Sequence, residues 1–282
     1  MARISSLNIL LDPTGRDYLA ELYGKVIENV NKQLISARFK NTDLSGNPES
    51  GTVEAKRFQN ASSKAYGTAR TGGQGDYIKA KPVTVAIDQN KEIVEELEQK
   101  DVTLYGVDGI LERRARNHVQ RMAAELDRAF FTEATTAGTA LTIPNTITAI
   151  QDEVEYAIQA IETTSNNYVD GVPRSMINLI CTPEYYGKIR TYLDKVTVPG
   201  MDAAAEEFYA YHGVKTFSCV HLPVGIDYIV MADGAIAQPV MSQAYTAEKI
   251  PLSNAYGVEL FYNYGTKAVM EDLIKYKASA GE

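Results

Sequence analysis

Residues 53–87 constrain the fold more than any other stretch. TVEAKRF and KPVTVAID each read as a strand, the second alternating Val83, Val85 and Ile87 with Thr84, Ala86 and Asp88. Between them lies QNASSKAYGTARTGGQGDYIKA, too long for a tight turn and too polar to build a core, so the unit reads as a protruding hairpin. With about 17 residues per limb at about 3.3 Å each, such an arm reaches at most roughly 55 Å. A compact chain of 282 residues has a radius of gyration of about 19 Å, hence a diameter of about 50 Å. An extended arm as long as its body cannot bury itself there and needs a neighbour.

Charge points the same way. The chain is acidic, with a formal net charge of -8, and overall acidity disfavours a nucleic-acid binder, which needs clustered Lys and Arg. The acidity is unevenly spread. Residues 54–81 carry Lys56, Arg57, Lys64, Arg70, Lys79 and Lys81 against Glu54 and Asp76, net +4. Residues 88–101 carry Asp88, Glu92, Glu95, Glu96, Glu98 and Asp101 against Lys91 and Lys100, net -4. The two segments read either as solvated faces or as complementary surfaces on neighbouring subunits. In the second case Lys56, Arg57, Lys64, Arg70 and Lys79 would meet Glu92, Glu95, Glu96 and Glu98, which sets register more than affinity.

Two long helices are expected. In the first, Asp12 is a candidate cap, Pro13 suits the first helical position, and Leu19, Leu22, Val26, Val30 and Leu34 recur at helical steps up to about Arg38. NTDLSGNPESG follows as an irregular joint. The second runs over 107–134, where Leu111, Ala115, Met122, Leu126 and Phe130 form an apolar stripe, for a length of about 42 Å. From Thr146 the pattern is mixed. A helix with Thr148 and Gln151 as a possible capping box carries Ile150, Val154, Ile158 and Ile161. The strand SMINLIC and a helix opened by Thr182-Pro183-Glu184 follow, then a short helix from about Asp202 to Gly213. The strands VKTFSCV, IDYIVMA, AIAQPVM, YGVELFYNYG and KAVMEDLIKYKA close the chain.

The sequence offers little chemistry. GTARTGGQG lacks the Gly-Lys-Ser/Thr ending of a phosphate cradle and opens no helix, so it reads as a loop tip. His212, Cys219, His221 and Cys181 lack finger-like spacing for zinc, and both cysteines sit in apolar runs as buried thiols. His118, among charged neighbours, reads as solvated. There is no Gly-x-Ser-x-Gly elbow. The 18 tyrosines against 7 phenylalanines and no tryptophan suit half-buried assembling faces. No catalytic, metal or cofactor residues are assigned. No apolar run approaches the roughly 18 residues of a membrane helix, and the start lacks a signal peptide's apolar stretch, so the expected place of synthesis and residence is the cytosol.

The order of elements, with KPVTVAIDQN…KDVTLYGVDGILERRARNHVQRMAAELDRAFF, HGVKTFSCVHLP…IDYIVMADGAIAQPV and NAYGVELFYNYGTKAVMEDLIKYKA, resembles the tailed-phage major capsid proteins of the HK97 fold over essentially the whole chain. The resemblance implies an α+β capsid fold. Residues 1–50 would be the N-terminal arm, 51–90 the extended β-hairpin E-loop, 91–145 with 251–282 the P-domain with its spine helix, and 146–250 the A-domain. It implies a non-enzymatic structural protein in the virion, made in the bacterial host cytoplasm. Copies would self-assemble as hexamers and pentamers into an icosahedral head around double-stranded DNA that is packaged without specific binding. A portal and a separate scaffolding protein would be partners, since no scaffolding segment precedes the N-terminal arm unless the chain is already mature. Cross-linking of Lys64 or Lys79 to Asn254 or Asn263 is conceivable by the same resemblance, although no flanking signature accompanies them. The alternatives are an encapsulin-like compartment shell of the same fold and, from another class, an α/β enzyme with an elaborated arm.

Overall fold

The computed structural model describes residues 7–67, 77–195 and 210–279. After a 3-10 turn at Leu7–Leu11, helix α1 spans Pro13–Gln33, buries Leu19, Leu22, Val26 and Val30, and so realises the expected stripe. Asp12 occupies the cap position without a side-chain cap bond. The helix stops five residues before the expected Arg38, for a long-range reason. The carboxylate of Asp127 accepts the N–H groups of Ile35 and Ser36 at 3.2 and 3.1 Å, turning the backbone into a 3-10 turn at Ser36–Arg38.

The expected joint also contains a strand, β1 (Leu44–Ser45), paired with β2 (Thr52–Phe58). β2 pairs antiparallel with β3 (Ala80–Ala86) along its whole length, confirming the hairpin limbs. Its paired part is seven residues long, about 23 Å at 3.3 Å per residue. The expectation that the arm cannot bury itself fails at the root. There Val53, Ala55 and Val85 pack against Ala237 and Val269 of the same chain.

β4 (Gln89–Leu97) leads into α2 (Gln99–Ala137), which is longer than the expected spine and broken at Gly106, whose φ of 75° no β-carbon would favour. Downstream of the break the stripe Leu111, Ala115, Met122, Leu126 and Phe130 is buried as expected. β5 (Thr139–Ala140) and α3 (Ile150–Glu162) follow, with Ala149 rather than Thr148 in the cap position. β6 (Ile177–Cys181) and α4 (Pro183–Lys195) match expectation, Thr182 Oγ1 accepting the Tyr185 N–H. Most of the helix expected from Asp202 lies outside the described residues, and its last part is instead strand β7 (Ala210–Tyr211). β8 (Val214–Ser218) and β9 (Ile226–Ala232) come next.

Two expected strands are divided. AIAQPVM becomes β10 (Ile236–Ala237) and β11 (Val240–Ser242), because Pro239 has no N–H to pair and Gln238 turns inward to donate to the Leu126 carbonyl. KAVMEDLIKYKA becomes β14 (Lys267–Ala268) and β15 (Ile274–Ala278), separated by a 3-10 turn. β12 (Thr246–Lys249) is a strand that the sequence pattern does not predict, whereas β13 (Tyr256–Tyr264) is one that it does.

Among the described residues two main sheets result. In one, β13 pairs with β4 along one edge and with β11 and β12 along the other, and α1 and α2 cover one face. The other has the order β5-β15-β9-β6-β8-β7. α3 and α4 cover one of its faces, while Phe39, Phe130 and Phe131 fill the other. Burial on both sides explains why β6 reads as a continuous apolar run. The sheets cut across the expected division. β11 and β12, assigned to 146–250, pair with β13, while β15, assigned with 251–282, pairs with β9. Backbone pairing of segments distant in sequence leaves no periodic signal at the boundary.

Candidate assembly interface

Strand alternation decides what each charge of the hairpin can meet. On β2, Val53, Ala55 and Arg57 share the inward side, while Glu54 and Lys56 point to solvent. Lys64, Lys79 and Lys81 are exposed, and Arg70 lies outside the described residues. Arg57 faces its own body. Its Nη1 and Nη2 donate to Asp272 Oδ1 and Oδ2 at 2.5 and 2.9 Å, and its guanidinium lies 4.8 Å from the centre of the Tyr168 ring. Asn166 Nδ2 donates to Asp272 Oδ2, which also accepts Arg57 Nη2, and the Asn60 N–H reaches the Asn167 carbonyl. Arg57, beside Asp272, holds that carboxyl below the usual carboxylate range against the opposing effect of burial.

Beyond the root the arm presents apolar surface with the lysines. Phe58 is 53% exposed, Tyr66 93%, Tyr77 80% and Ile78 87%. A soluble monomer seldom displays such residues together.

The acidic segment divides by the same alternation. Glu92, Val94 and Glu96 lie on the open face of β4, and register places Glu259 beside Val94 and Thr246, and Gly257 between Glu96 and Glu248. Glu92, Glu96, Glu248 and Glu259 thus share one sheet face, and among the described residues they form no ion pair. Glu95 points to the opposite side. Its carboxylate accepts Arg114 Nε at 2.8 Å and lies 3.2 Å from His118 Nε2, and these partners hold its pKa down against burial. Glu98 is spent as the cap of α2 in a reciprocal box with Asp101. Arg57, Glu95 and Glu98 therefore serve the subunit's own structure.

His118, expected in solvent, is 3% exposed. Its Nδ1 lies 2.7 Å from the Tyr245 hydroxyl, and desolvation lowers its pKa. The tyrosines also depart from the expected half-buried surface. Tyr228, Tyr245, Tyr256 and Tyr262 are in the core, with the Tyr262 and Tyr264 hydroxyls both donating to Glu125. Cys181 and Cys219 are buried thiols as expected, and burial raises both pKa values, that of Cys219 to about 12. Asn254 is exposed in the β12–β13 turn and Asn263 lies on the acidic sheet face, on elements separate from Lys64 and Lys79.

No family model matches the chain, and no curated protein matches it. Solved structures do. The capsid structure of cyanophage P-SCSP1u superposes with a TM-score of 0.63 at 15% identity, covering 86% of this chain and 86% of that one. A structure from Mycobacterium phage Che8 gives 0.62 at 18%, covering 80% and 84%. A virus-like particle from Pyrococcus furiosus gives 0.57 at 12%, covering 92% and 99%. The chain has the α+β fold of the phage capsid structures, with the HK97-like arrangement of arm, hairpin, spine helix and two sheets.

Proposed function

We propose that this chain is a major capsid protein, whose copies assemble as hexamers and pentamers into an icosahedral head around double-stranded DNA. The observation that carries the reading is the hairpin. Its root is folded into the body, while its outer part offers Tyr77, Ile78, Lys79 and Lys81 to a surface the subunit does not supply. The open acidic face bearing Glu92, Glu96, Glu248 and Glu259 has the complementary charge on the next copy. Closed rings and shells follow from repeating one such head-to-tail contact. Packaged DNA, unable to neutralise its phosphates on an acidic protein, slides past it instead of adhering. The protein acts as structure in the virion rather than as an enzyme; a portal and a separate scaffolding protein would accompany it.

Charge reversal tests the contact. Lys56→Glu with Lys79→Glu should lower the assembled fraction in sedimentation at low salt, with partial recovery as salt rises, since screening removes the new repulsion. An assembled fraction equal to the parent's at every salt concentration would remove the electrostatic contact. The virus-like particle that matches nearly end to end supports a second reading, a compartment shell of encapsulin type. Nucleic-acid absorbance of purified particles favours the head; a protein cargo without nucleic acid favours the compartment.

A further inference from the structure

We propose that Arg57, Asp272 and Tyr168 form an angular lock that sets the direction in which the hairpin arm leaves the subunit before any neighbour binds. The inference rests on the assembly reading for its consequence, but the lock itself is a property of one chain. Four features converge on it. The arm's root is held on its inward face by Val53, Ala55 and Val85, which pack on Ala237 and Val269 near the base of the hairpin. Arg57 lies farther out on the same face, and just beyond it the Asn60 N–H bonds to the Asn167 carbonyl of the segment that carries Tyr168. Its fork engages both oxygens of Asp272, and a planar two-pronged contact fixes an orientation that a single point charge leaves open. The ring of Tyr168 lies against the guanidinium, while Asn166 holds Asp272 from the side.

The two partners come from separate places, Asp272 from the turn before β15 and Tyr168 from the segment after α3. The arm is thereby referenced to the six-stranded sheet and its helix layer together. The remaining guanidinium nitrogen, Arg57 Nε, is buried without a hydrogen-bond partner among the described residues. Arg57 is a positioning residue, and the curvature of the shell would inherit the angle it sets.

Spin labels at Ala61→Cys on the arm and Thr191→Cys on α4 measure that angle as a distance distribution. Both positions are exposed, and the native Cys181 and Cys219 are buried from the label. In dilute, unassembled subunits the parent should give one narrow distribution. Arg57→Ala should broaden it at least twofold with unchanged circular dichroism. Arg57→Lys, which keeps the charge and loses the fork, should broaden it too, and it decides the matter if the alanine variant fails to fold. A narrow distribution at the parent's distance in the folded variant would overturn the lock. The measurement needs no shell, so a parent that never assembles would refute the capsid reading while leaving this result standing on its own.

Discussion

Replacing residues 61–78 by a single glycine is expected to leave a folded subunit that forms no closed shells. Gln59 N–H already donates to the Lys79 carbonyl at 2.9 Å, so the two limbs meet there. The shortened chain would place Asn60-Gly between them, the dipeptide best suited to a two-residue hairpin turn. Among the described residues of the removed segment, 61–66, 77 and 78 are exposed. Folding therefore loses little, and the unfolding transition should remain cooperative near the parent's midpoint. Assembly loses Tyr66, Tyr77 and Ile78, together with whatever area they cover on a neighbour. If such large side chains are buried at about 25 cal/mol per Å² of apolar surface, each contact is weakened by several kcal/mol. A shell repeats that loss at every contact. Size-exclusion chromatography with light scattering should find small oligomers only. Normal particles would show that the arm's outer part is dispensable.

The second large effect is expected at Gly265. It follows β13 and sits against the far end of β3, where an added β-carbon would lie 1.9 Å from the Ala86 carbonyl oxygen and 2.7 Å from its carbon. Both are backbone atoms, so no rotamer change relieves the clash. Either β3 lifts from the body or the turn holding the Gly265 N–H on the Pro239 carbonyl opens. Gly265→Ala should cost about 3 kcal/mol, the upper range for overpacking, and lower the urea midpoint accordingly. The hairpin root should loosen first, seen as faster amide exchange over 52–58 and 80–86 than in the core strand β6. Parent-like exchange and midpoint would mean that β3 does not press on this turn.

How much of this was legible depends on the range of the interaction. The hairpin limbs were readable because alternation is local, and the same alternation already put Arg57 on the side of Val53 and Ala55. Counting charge by segment hid that signal, since a net +4 treats inward and outward residues alike. Glu95 and Glu96 show the same loss, as adjacent carboxylates on opposite faces of β4. On the long helix, Asp127 sits four residues from both buried Ala123 and buried Phe131, so helical spacing places it on the core side. Its partners, the N–H groups of Ile35 and Ser36, are some ninety residues away and leave no mark in the local pattern. His118 was misplaced because its neighbours in sequence are charged, whereas Tyr245 and Glu95, its neighbours in space, lie on other elements. The open acidic face depends wholly on register between β4, β13 and β12, which periodicity does not fix.

The most direct test of the shell-forming reading is electron cryomicroscopy of the purified full chain at neutral pH. The expected result is closed icosahedral particles whose reconstruction places the arm of one copy on the sheet face carrying Glu92, Glu96, Glu248 and Glu259 of the next. A uniform 31.0 kDa monomer at every concentration, or shells in which that face is bare, would contradict it.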